Sequence, residues 1–119
     1  MPSVGEIWAA NFAYEDDPLQ TKLRPALVIS ADQSTCVCIL LAVSSRTPKP
    51  NYDYPIKYWQ AAGLSKPSCV RLENAVEFVF TDLEFKIGKL HQKDQNGVFW
   101  RLAELYENEN ENENELDLY

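Results

Sequence analysis

The stretch TKLRPALVIS, residues 21–30, contains the strand around which we expect the fold to form. Its second half, residues 26–30, is an apolar run with polar segments on both sides, which is typical of a buried β-strand. Arg24 and Pro25 stand immediately before this run. Pro25 fixes its own backbone torsion angle φ and favours an extended conformation at Arg24. The sequence therefore predicts an arginine held in a reproducible position where a core strand meets a loop.

Other short segments with strand patterns lie on both sides of this stretch. Residues 5–14 place large side chains at every second position, and CVCILLAV, residues 36–43, is a continuous apolar run suited to a central strand. The predicted strands cover residues 5–14, 26–30, 36–43, 52–59 and 83–90, with one or two more in 69–80 and a loop over 15–25. Short strands at this spacing predict a mainly β fold, either a small barrel or a strongly bent sheet.

One helix is predicted, over residues 92–107, because Val98, Leu102, Leu105 and Tyr106 recur at helical spacing. Packed against the sheet, this helix would complete a single domain over residues 1–106. The remaining residues 107–119, ENENENENELDLY, form an acidic low-complexity tail. Its first nine residues contain no apolar side chain, so we expect it to be either disordered or an extension of the helix.

The net charge of −7 is concentrated in the tail, which holds six acidic residues and no basic one. Residues 1–106 carry 12 acidic and 11 basic residues, so the domain itself is close to neutral. The acidity of the whole chain therefore does not exclude an anionic partner such as nucleic acid for the domain.

Several classes of protein are disfavoured by simple features of the chain. No run of 18 apolar residues is present, and the amino terminus lacks the pattern of a signal peptide, so we expect a cytoplasmic protein without a membrane span. The pair Cys36 and Cys38, placed on the same face of one strand, with Cys69 distant, is a weak metal motif. We expect small buried thiols in a reducing compartment, and neither a metal site nor a cofactor.

The residue types around Arg24 suggest phosphate chemistry. A guanidinium is permanently charged and matches two oxygens of a phosphate, although a salt bridge to Asp16 or Asp17 would be an ordinary alternative. Ser44 and Ser45 follow the central strand directly, where their hydroxyls could donate to a phosphate or only bond the turn backbone. His91 is the only histidine and lies far along the chain, so a serine hydrolase is not indicated.

Basic and aromatic residues are dense in this part of the chain. Five of the 11 basic residues bracket two loops, and three aromatic residues are interleaved with the later ones: Lys22, Arg24, Arg46, Lys49 and Lys57, with Tyr52, Tyr54 and Trp59. Cations for the backbone and aromatic rings for unstacked bases are the composition of a groove for single-stranded nucleic acid. A solvated charged face with its aromatic rings turned to the core is the alternative.

These segments resemble the MazF/PemK family of toxin endoribonucleases from toxin–antitoxin pairs. The similar motifs occur in the family's order over residues 4–106: GEIWAANF, RPALVIS, CVCILLAVSS, AGLSKPSCVRLENAVEF and FKIGKLHQKDQNGVFWRLAEL. The family's arginine before the proline matches Arg24, and its hydroxyl residue after the third strand, often threonine, matches Ser44. Glu73 and Asn74 stand where the family usually has aspartate and glutamine, so a different base preference is expected.

The resemblance implies an SH3-like small β-barrel of the MazF/PemK/CcdB kind that forms a homodimer. It also implies metal-independent cleavage of single-stranded RNA to a 2′,3′-cyclic phosphate and a 5′-hydroxyl, with inhibition by an antitoxin that carries an acidic segment. Arg24 and Ser44 would be catalytic, and the substrate contacts are expected from Lys22, Ser45, Arg46, Lys49 and Asn74. Glu15, Asp16 and Asp17 would repel RNA phosphate if they face the groove.

Two further readings remain open at the level of sequence. The same barrel could bind DNA, RNA or a protein target without catalysis, or it could only dimerise. The acidic tail could also occupy the groove of its own or a partner subunit and compete with RNA, or it could simply improve solubility.

Overall fold

The computed structural model describes residues 1–13 and 16–117, with side chains up to residue 107. Seven strands precede one long helix: β1 Glu6–Ala13, β2 Thr21–Asp32, β3 Val37–Ser44, β4 Asp53–Pro55, β5 Cys69–Arg71, β6 Val76–Val79, β7 Leu83–Lys89 and α1 Gln92–Asp117. A single turn of 3₁₀-helix, Phe80–Asp82, joins β6 to β7. The predicted mainly β fold with a carboxy-terminal helix is confirmed.

All of the strand pairs are antiparallel, and their order is β4-β5-β3-β2-β1-β7. Strand β3 pairs with β6 along Val37–Leu40 and with β5 at Val43 and Ser44. Two different strands along one side of β3 require a strong bend. Over the described residues, β4 and β7 lie at the two ends of this order and do not pair with each other. The predicted SH3-like barrel is therefore not closed, and the strands form a bent, barrel-like sheet.

The central strands β2 and β3 are buried on both faces. Leu27, Leu41 and Val43 belong to one apolar cluster, while Val28 and Leu40 belong to the other. This arrangement explains the continuous apolar runs, since a strand covered on both faces need not alternate with polar residues. Each such fully buried aliphatic side chain contributes about 1.5–3 kcal/mol to stability relative to exposure.

The helix packs on the first cluster and is fastened at its amino-terminal end by Asp94. This residue is 1% exposed, and its carboxylate accepts hydrogen bonds from the Tyr54 hydroxyl at 2.8 Å and from the backbone N–H groups of Lys57 and Tyr58 at 3.0 and 2.9 Å. Gly97 lies against the Tyr54 ring, where an added Cβ would stand 2.5 Å from ring atoms. The glycine inside the helix is therefore explained by close packing on Tyr54.

The structure corrects several predicted boundaries. Strand β2 begins at Thr21, because Lys22 and Arg24 pair with β1, so the predicted loop over 15–25 is shorter. The predicted strand over 52–59 is reduced to Asp53–Pro55. Cys36 is exposed with a φ of 57° in the turn before β3, so the prediction that it shares a strand face with Cys38 is wrong.

The helix continues to Asp117, so residues 107–117 extend it, as one of the two alternatives for the tail predicted, and the last two residues of the tail lie outside the described residues. Twenty-six residues correspond to an axial length of about 39 Å. In the described part of the chain, no helix combines the length and the apolar character that crossing a bilayer requires. The proposed competition between the tail and RNA stays a prediction.

Candidate nucleic-acid site

Arg24 and Ser44 line the same cleft at the end of the β2–β3 ladder. The last pair of that ladder towards the cleft is Ala26 with Ala42, and Arg24 and Ser44 each lie two residues beyond it. Because side chains alternate along strands, both residues share the face of this last pair. The cleft has a volume of about 320 Å³. It is lined by Lys22, Leu23, Arg24, Pro25, Val43, Ser44, Ser45, Leu64, Ser65, Lys66 and Ser68.

Arg24 is partly exposed at this cleft and has no carboxylate partner among the described residues. Among the described residues, neither Asp16 nor Asp17 forms the alternative salt bridge with Arg24, and the Asp17 carboxylate accepts the backbone N–H of Leu19 at 3.2 Å. A partly desolvated guanidinium without a carboxylate retains its donors and its charge for an anion. The catalytic role of Arg24 stays a prediction, but its position suits one.

Ser44 is oriented by the backbone that follows it. Its Oγ accepts a hydrogen bond from the backbone N–H of Arg46 at 3.2 Å. A hydroxyl has one proton to donate and two lone pairs, so this contact leaves the Ser44 proton available for a ligand. The turn contact and the phosphate contact considered at the level of sequence are therefore compatible. Ser45 is exposed on the rim of the same cleft.

Arg46 is held by a buried carboxylate instead of standing free. Its Nη2 donates to both carboxylate oxygens of Asp53 at 2.9 Å, and its Nε donates to Oδ2 at 3.2 Å. Asp53 is 1% exposed and also accepts the backbone N–H of Lys49 at 2.9 Å. Burial by itself raises the pKa of Asp53, but these hydrogen bonds outweigh it and hold that pKa below its usual value. The predicted contact of Arg46 with substrate stays a prediction.

A second cleft of about 550 Å³ is also lined by Arg24. Its lining combines acidic, basic, amide and apolar residues: Phe12, Ala13, Asp16, Arg24, Ala42, Arg46, Arg71, Glu73, Asn74 and Val76. Asn74 adopts a φ of 60°, a left-handed conformation that asparagine tolerates better than most residues. Of the acidic residues expected to oppose phosphate, Asp16 does face this cleft, and Glu15 lies outside the described residues.

The predicted substrate residues are thus divided among different places. Lys22 and Ser45 line the first cleft with Arg24 and Ser44, and Asn74 lines the second. Lys49 is exposed and does not line either of the two clefts. None of these assignments is tested by the structure, and each stays a prediction.

Sequence reasoning missed the contribution of the connection between β4 and β5. Ser65, Lys66 and Ser68 line the same cleft as Arg24, although the sequence of residues 60–68 predicted only an irregular connection. Gly63, with a φ of 89°, allows the turn before them, where an added Cβ would lie 2.7 Å from the Ile87 carbonyl oxygen. The available signal was composition, because LSKPS repeats the hydroxyl and cationic residues of SSRT.

Metal ligands are not gathered at either cleft. Among the described residues, no group of three or more histidine, cysteine, aspartate or glutamate side chains is arranged to hold a metal ion. Cys38 and Cys69 are buried, as expected for small apolar thiols, and burial raises the pKa of both.

Comparison with solved structures finds the same fold in several toxins. The Mycobacterium tuberculosis toxin MazF-mt6 is 18% identical with a TM-score of 0.67, and the match covers 86% of this chain and 96% of that one. MazF in a MazE–MazF crystal structure from Deinococcus radiodurans is 19% identical with a TM-score of 0.70, covering 88% and 95%. An endoribonuclease in complex with its cognate antitoxin from a mycobacterial species is 15% identical with a TM-score of 0.66, covering 86% and 89%.

None of the curated proteins matches the sequence. Comparison with protein-family models matches residues 3–106 to the PemK-like, MazF-like toxin of type II toxin–antitoxin systems. This match covers most of the chain and agrees with the structural similarities. The chain therefore belongs to the PemK-like, MazF-like family of type II toxins.

Proposed function

We propose that this chain is a toxin that cleaves single-stranded RNA without a metal ion and is inhibited by an antitoxin. The observation that carries the proposal is the shared cleft of Arg24 and Ser44. Lys22 and Lys66 line the same cleft, so three cations surround a hydroxyl donor there. Cations and hydroxyls around a concave site are suited to the phosphodiester backbone.

The reaction follows from what the site can stabilise. The ribose 2′-oxygen attacks the neighbouring phosphorus and forms a new P–O bond while its proton passes to water. The bond from phosphorus to the 5′-oxygen breaks, and this oxygen takes a proton from water. The products are a 2′,3′-cyclic phosphate and a 5′-hydroxyl. Negative charge increases on the two non-bridging oxygens of the phosphate during the attack.

Arg24 acts in this scheme by electrostatic stabilisation of that charge. A preorganised donor of this kind is worth about 10²–10³-fold in rate. Its pKa, above about 12, makes a guanidinium a poor proton carrier, so we do not assign acid or base catalysis to it. Ser44 adds one hydrogen bond, because the backbone N–H of Arg46 leaves its proton free to donate.

The proposed partners follow from charge and exposed apolar surface. A cleft lined by Lys22, Arg24 and Lys66 can accept an acidic antitoxin segment as well as RNA, so the two would compete. Leu23, Val79 and Phe85 are exposed large apolar residues on the sheet, and pairing in a homodimer would remove such surface from water. Sedimentation analysis of the protein alone and with its antitoxin would test both assemblies.

Incubation with single-stranded RNA in excess EDTA tests the activity. We expect cleavage, cyclic-phosphate ends on the products, and a loss of at least about 10²-fold in rate for Arg24→Ala. Lys89→Ala is the control, because Lys89 is exposed on β7 and lines neither cleft. Cleavage that requires a divalent metal, or that survives Arg24→Ala unchanged, would overturn the proposal.

A second candidate is a member of the fold that binds nucleic acid or a protein without cutting RNA. Asp16 and Glu73 favour a protein target within this candidate, because their carboxylates line the cleft beside Arg24 and would oppose a phosphate. This candidate predicts binding of a protein, weakened by Arg24→Ala, with no RNA cleavage product under any condition.

A further inference from the structure

A third cleft adjoins the one that holds Arg24 and Ser44. It has a volume of about 340 Å³ and shares Ser45 and Ser68 with the cleft of Arg24 and Ser44. Its remaining lining comes from the two loops on either side of β4: Arg46, Thr47, Pro48, Pro55, Ile56, Lys57, Trp59 and Pro67. A chain lying across Ser45 and Ser68 would therefore pass directly from one cleft into the other.

The lining of this cleft combines flat apolar surface with a few polar groups. Trp59 and three prolines supply the apolar surface, and the hydroxyls of Ser45, Thr47 and Ser68 stand among them. Lys57 adds a cation, and its Nζ lies 5.5 Å from the centre of the Tyr58 ring. A nucleotide has the matching properties, since the faces of its base are flat and apolar, the edge of the base forms hydrogen bonds, and its phosphate is anionic.

Both walls of the cleft are fixed by buried carboxylates. Asp53 holds Arg46 and the backbone N–H of Lys49 on one side. Asp94 holds the backbone N–H groups of Lys57 and Tyr58 on the other, at 3.0 and 2.9 Å. Trp59 also packs against the first apolar cluster, so its ring is supported from behind. A cleft fixed before binding loses little conformational entropy when a ligand enters it.

We propose that this third cleft binds the nucleotide that flanks the scissile phosphate, with its base against Trp59 and a backbone phosphate near Lys57. The inference rests on the proposed RNA cleavage and adds a subsite to it. Aromatic stacking accepts any base, and the hydroxyls of Ser45 and Thr47 can each donate or accept a hydrogen bond. The Ser68 hydroxyl donates its proton to the Lys66 carbonyl at 2.8 Å, so it can only accept one from a ligand. The subsite therefore contributes affinity and positioning, while discrimination between bases is left to other parts of the groove.

A scan with abasic nucleotides in the full-length protein tests the subsite. In an RNA that the protein cleaves, the bases on both sides of the cut are removed one position at a time. For the unmodified protein, we expect one flanking position at which loss of the base lowers kcat/KM by about 5- to 100-fold. Trp59→Leu lowers kcat/KM for the intact RNA by a similar factor, and removal of that same base then has no further effect.

Two further variants separate stacking from folding. Trp59→Phe keeps an aromatic ring and is expected to restore most of kcat/KM. Trp100→Leu is the matched control, because Trp100 is 70% exposed on the helix and does not line this cleft. If Trp59→Leu does not fold, Lys57→Ala replaces it, since Lys57 is exposed and its loss should raise KM and reduce the salt dependence of binding.

Fluorescence distinguishes failure of the subsite from failure of the proposed cleavage. With Trp8 and Trp100 changed to phenylalanine, Trp59 is the only tryptophan. An RNA with a 2′-O-methyl group at each ribose cannot be cleaved and should quench Trp59, whereas the RNA with the flanking base removed should not. Quenching without cleavage by any form of the protein would retain the subsite and reject the nuclease. Absence of quenching, quenching by an acidic peptide but not by RNA, or independent penalties in the abasic scan would overturn the subsite.

Discussion

Arg24 in β2 and Arg46 in the loop after β3 have opposite roles in the structure. Arg24 is partly exposed at two clefts and forms no ion pair with a carboxylate of the described residues. Arg46 lies seven residues from Asp53 in the chain and is fixed to it by three hydrogen bonds. One guanidinium is available to an anion from solution, whereas the charge of the other is already neutralised within the fold.

The contrast shows that the presence or absence of a carboxylate partner, more than residue type, distinguishes a structural cation from one available to a ligand. Burying a carboxylate costs desolvation energy, which an ion pair offsets only when its geometry is good, as it is between Arg46 and the buried Asp53. The Asp53 carboxylate also fixes the conformation of the loop that follows Ser44, because it binds both Arg46 and the backbone N–H of Lys49. The Arg46–Asp53 pair therefore helps to shape the cleft that Arg24 and Ser44 line.

The largest effect that separates the two arginines is on stability. Arg46→Ala leaves the Asp53 carboxylate buried without its guanidinium, so we expect the free energy of unfolding to fall by about 3–5 kcal/mol. Arg24→Ala should change it by no more than about 0.5 kcal/mol, because no internal partner is lost. Urea denaturation followed by circular dichroism measures both. Equal losses from the two variants would contradict the contrast.

A smaller effect should distinguish Ser44 from Ser45, which line the cleft of Arg24. Ser44→Ala removes one neutral hydrogen-bond donor, worth about 0.5–1.5 kcal/mol, so the rate of RNA cleavage should fall by up to about 10-fold. Ser44→Thr should retain the rate, since it keeps the hydroxyl. Ser45→Ala is the matched comparison and should affect KM more than kcat. A larger fall in kcat for Ser45→Ala would reassign the functional hydroxyl to Ser45.

The Arg46–Asp53 pair also predicts that the stability of the fold depends on pH in the acidic range. Burial alone would raise the pKa of Asp53, but its hydrogen bonds to Arg46 and Lys49 bring that pKa below its usual value. The ionised carboxylate therefore contributes stability above about pH 4, and this contribution is lost as the pH falls through the lower pKa of the folded state. Acid titration followed by circular dichroism should show unfolding at higher pH for Arg46→Ala than for Arg24→Ala. The same acid midpoint in both variants would argue against the pair.

The smallest effect concerns the second buried carboxylate, Asp94. Burial, followed by the hydrogen bond to Asp94, raises the pKa of Tyr54 to about 12. The neutral phenol thus stabilises the fold fully below about pH 10, and this contribution is lost as the pH rises towards the folded pKa. Titration of tyrosinate absorbance should show one late-ionising tyrosine, absent in Tyr54→Phe and shifted to lower pH in Asp94→Asn. Ionisation of all six tyrosines together near pH 10 would contradict this contact.

Much of the fold could be predicted because its signals are local. The continuous apolar runs of β2 and β3 reflect strands covered on both faces, and the spacing of Val98, Leu102 and Leu105 reflects one helix face on the core. The start of β2 could not be predicted, because Lys22 and Arg24 are extended by pairing with β1 and not by their own pattern. Likewise, nothing local distinguishes Asp53–Pro55 as the only part of 52–59 that pairs.

For the candidate site, the sequence determined which residues could act: an arginine before a proline, and serines at the end of an apolar strand. The tertiary structure decided their surroundings. It withdrew Arg46 into a pair with Asp53, brought Lys66 to the cleft from a distant connection, and placed Trp59 beside that cleft. The physical reason is that backbone conformation and the pattern of buried side chains depend mainly on a few neighbouring residues in the sequence. Charge pairing and the walls of a cleft depend on contacts between segments that only the folded sheet brings together.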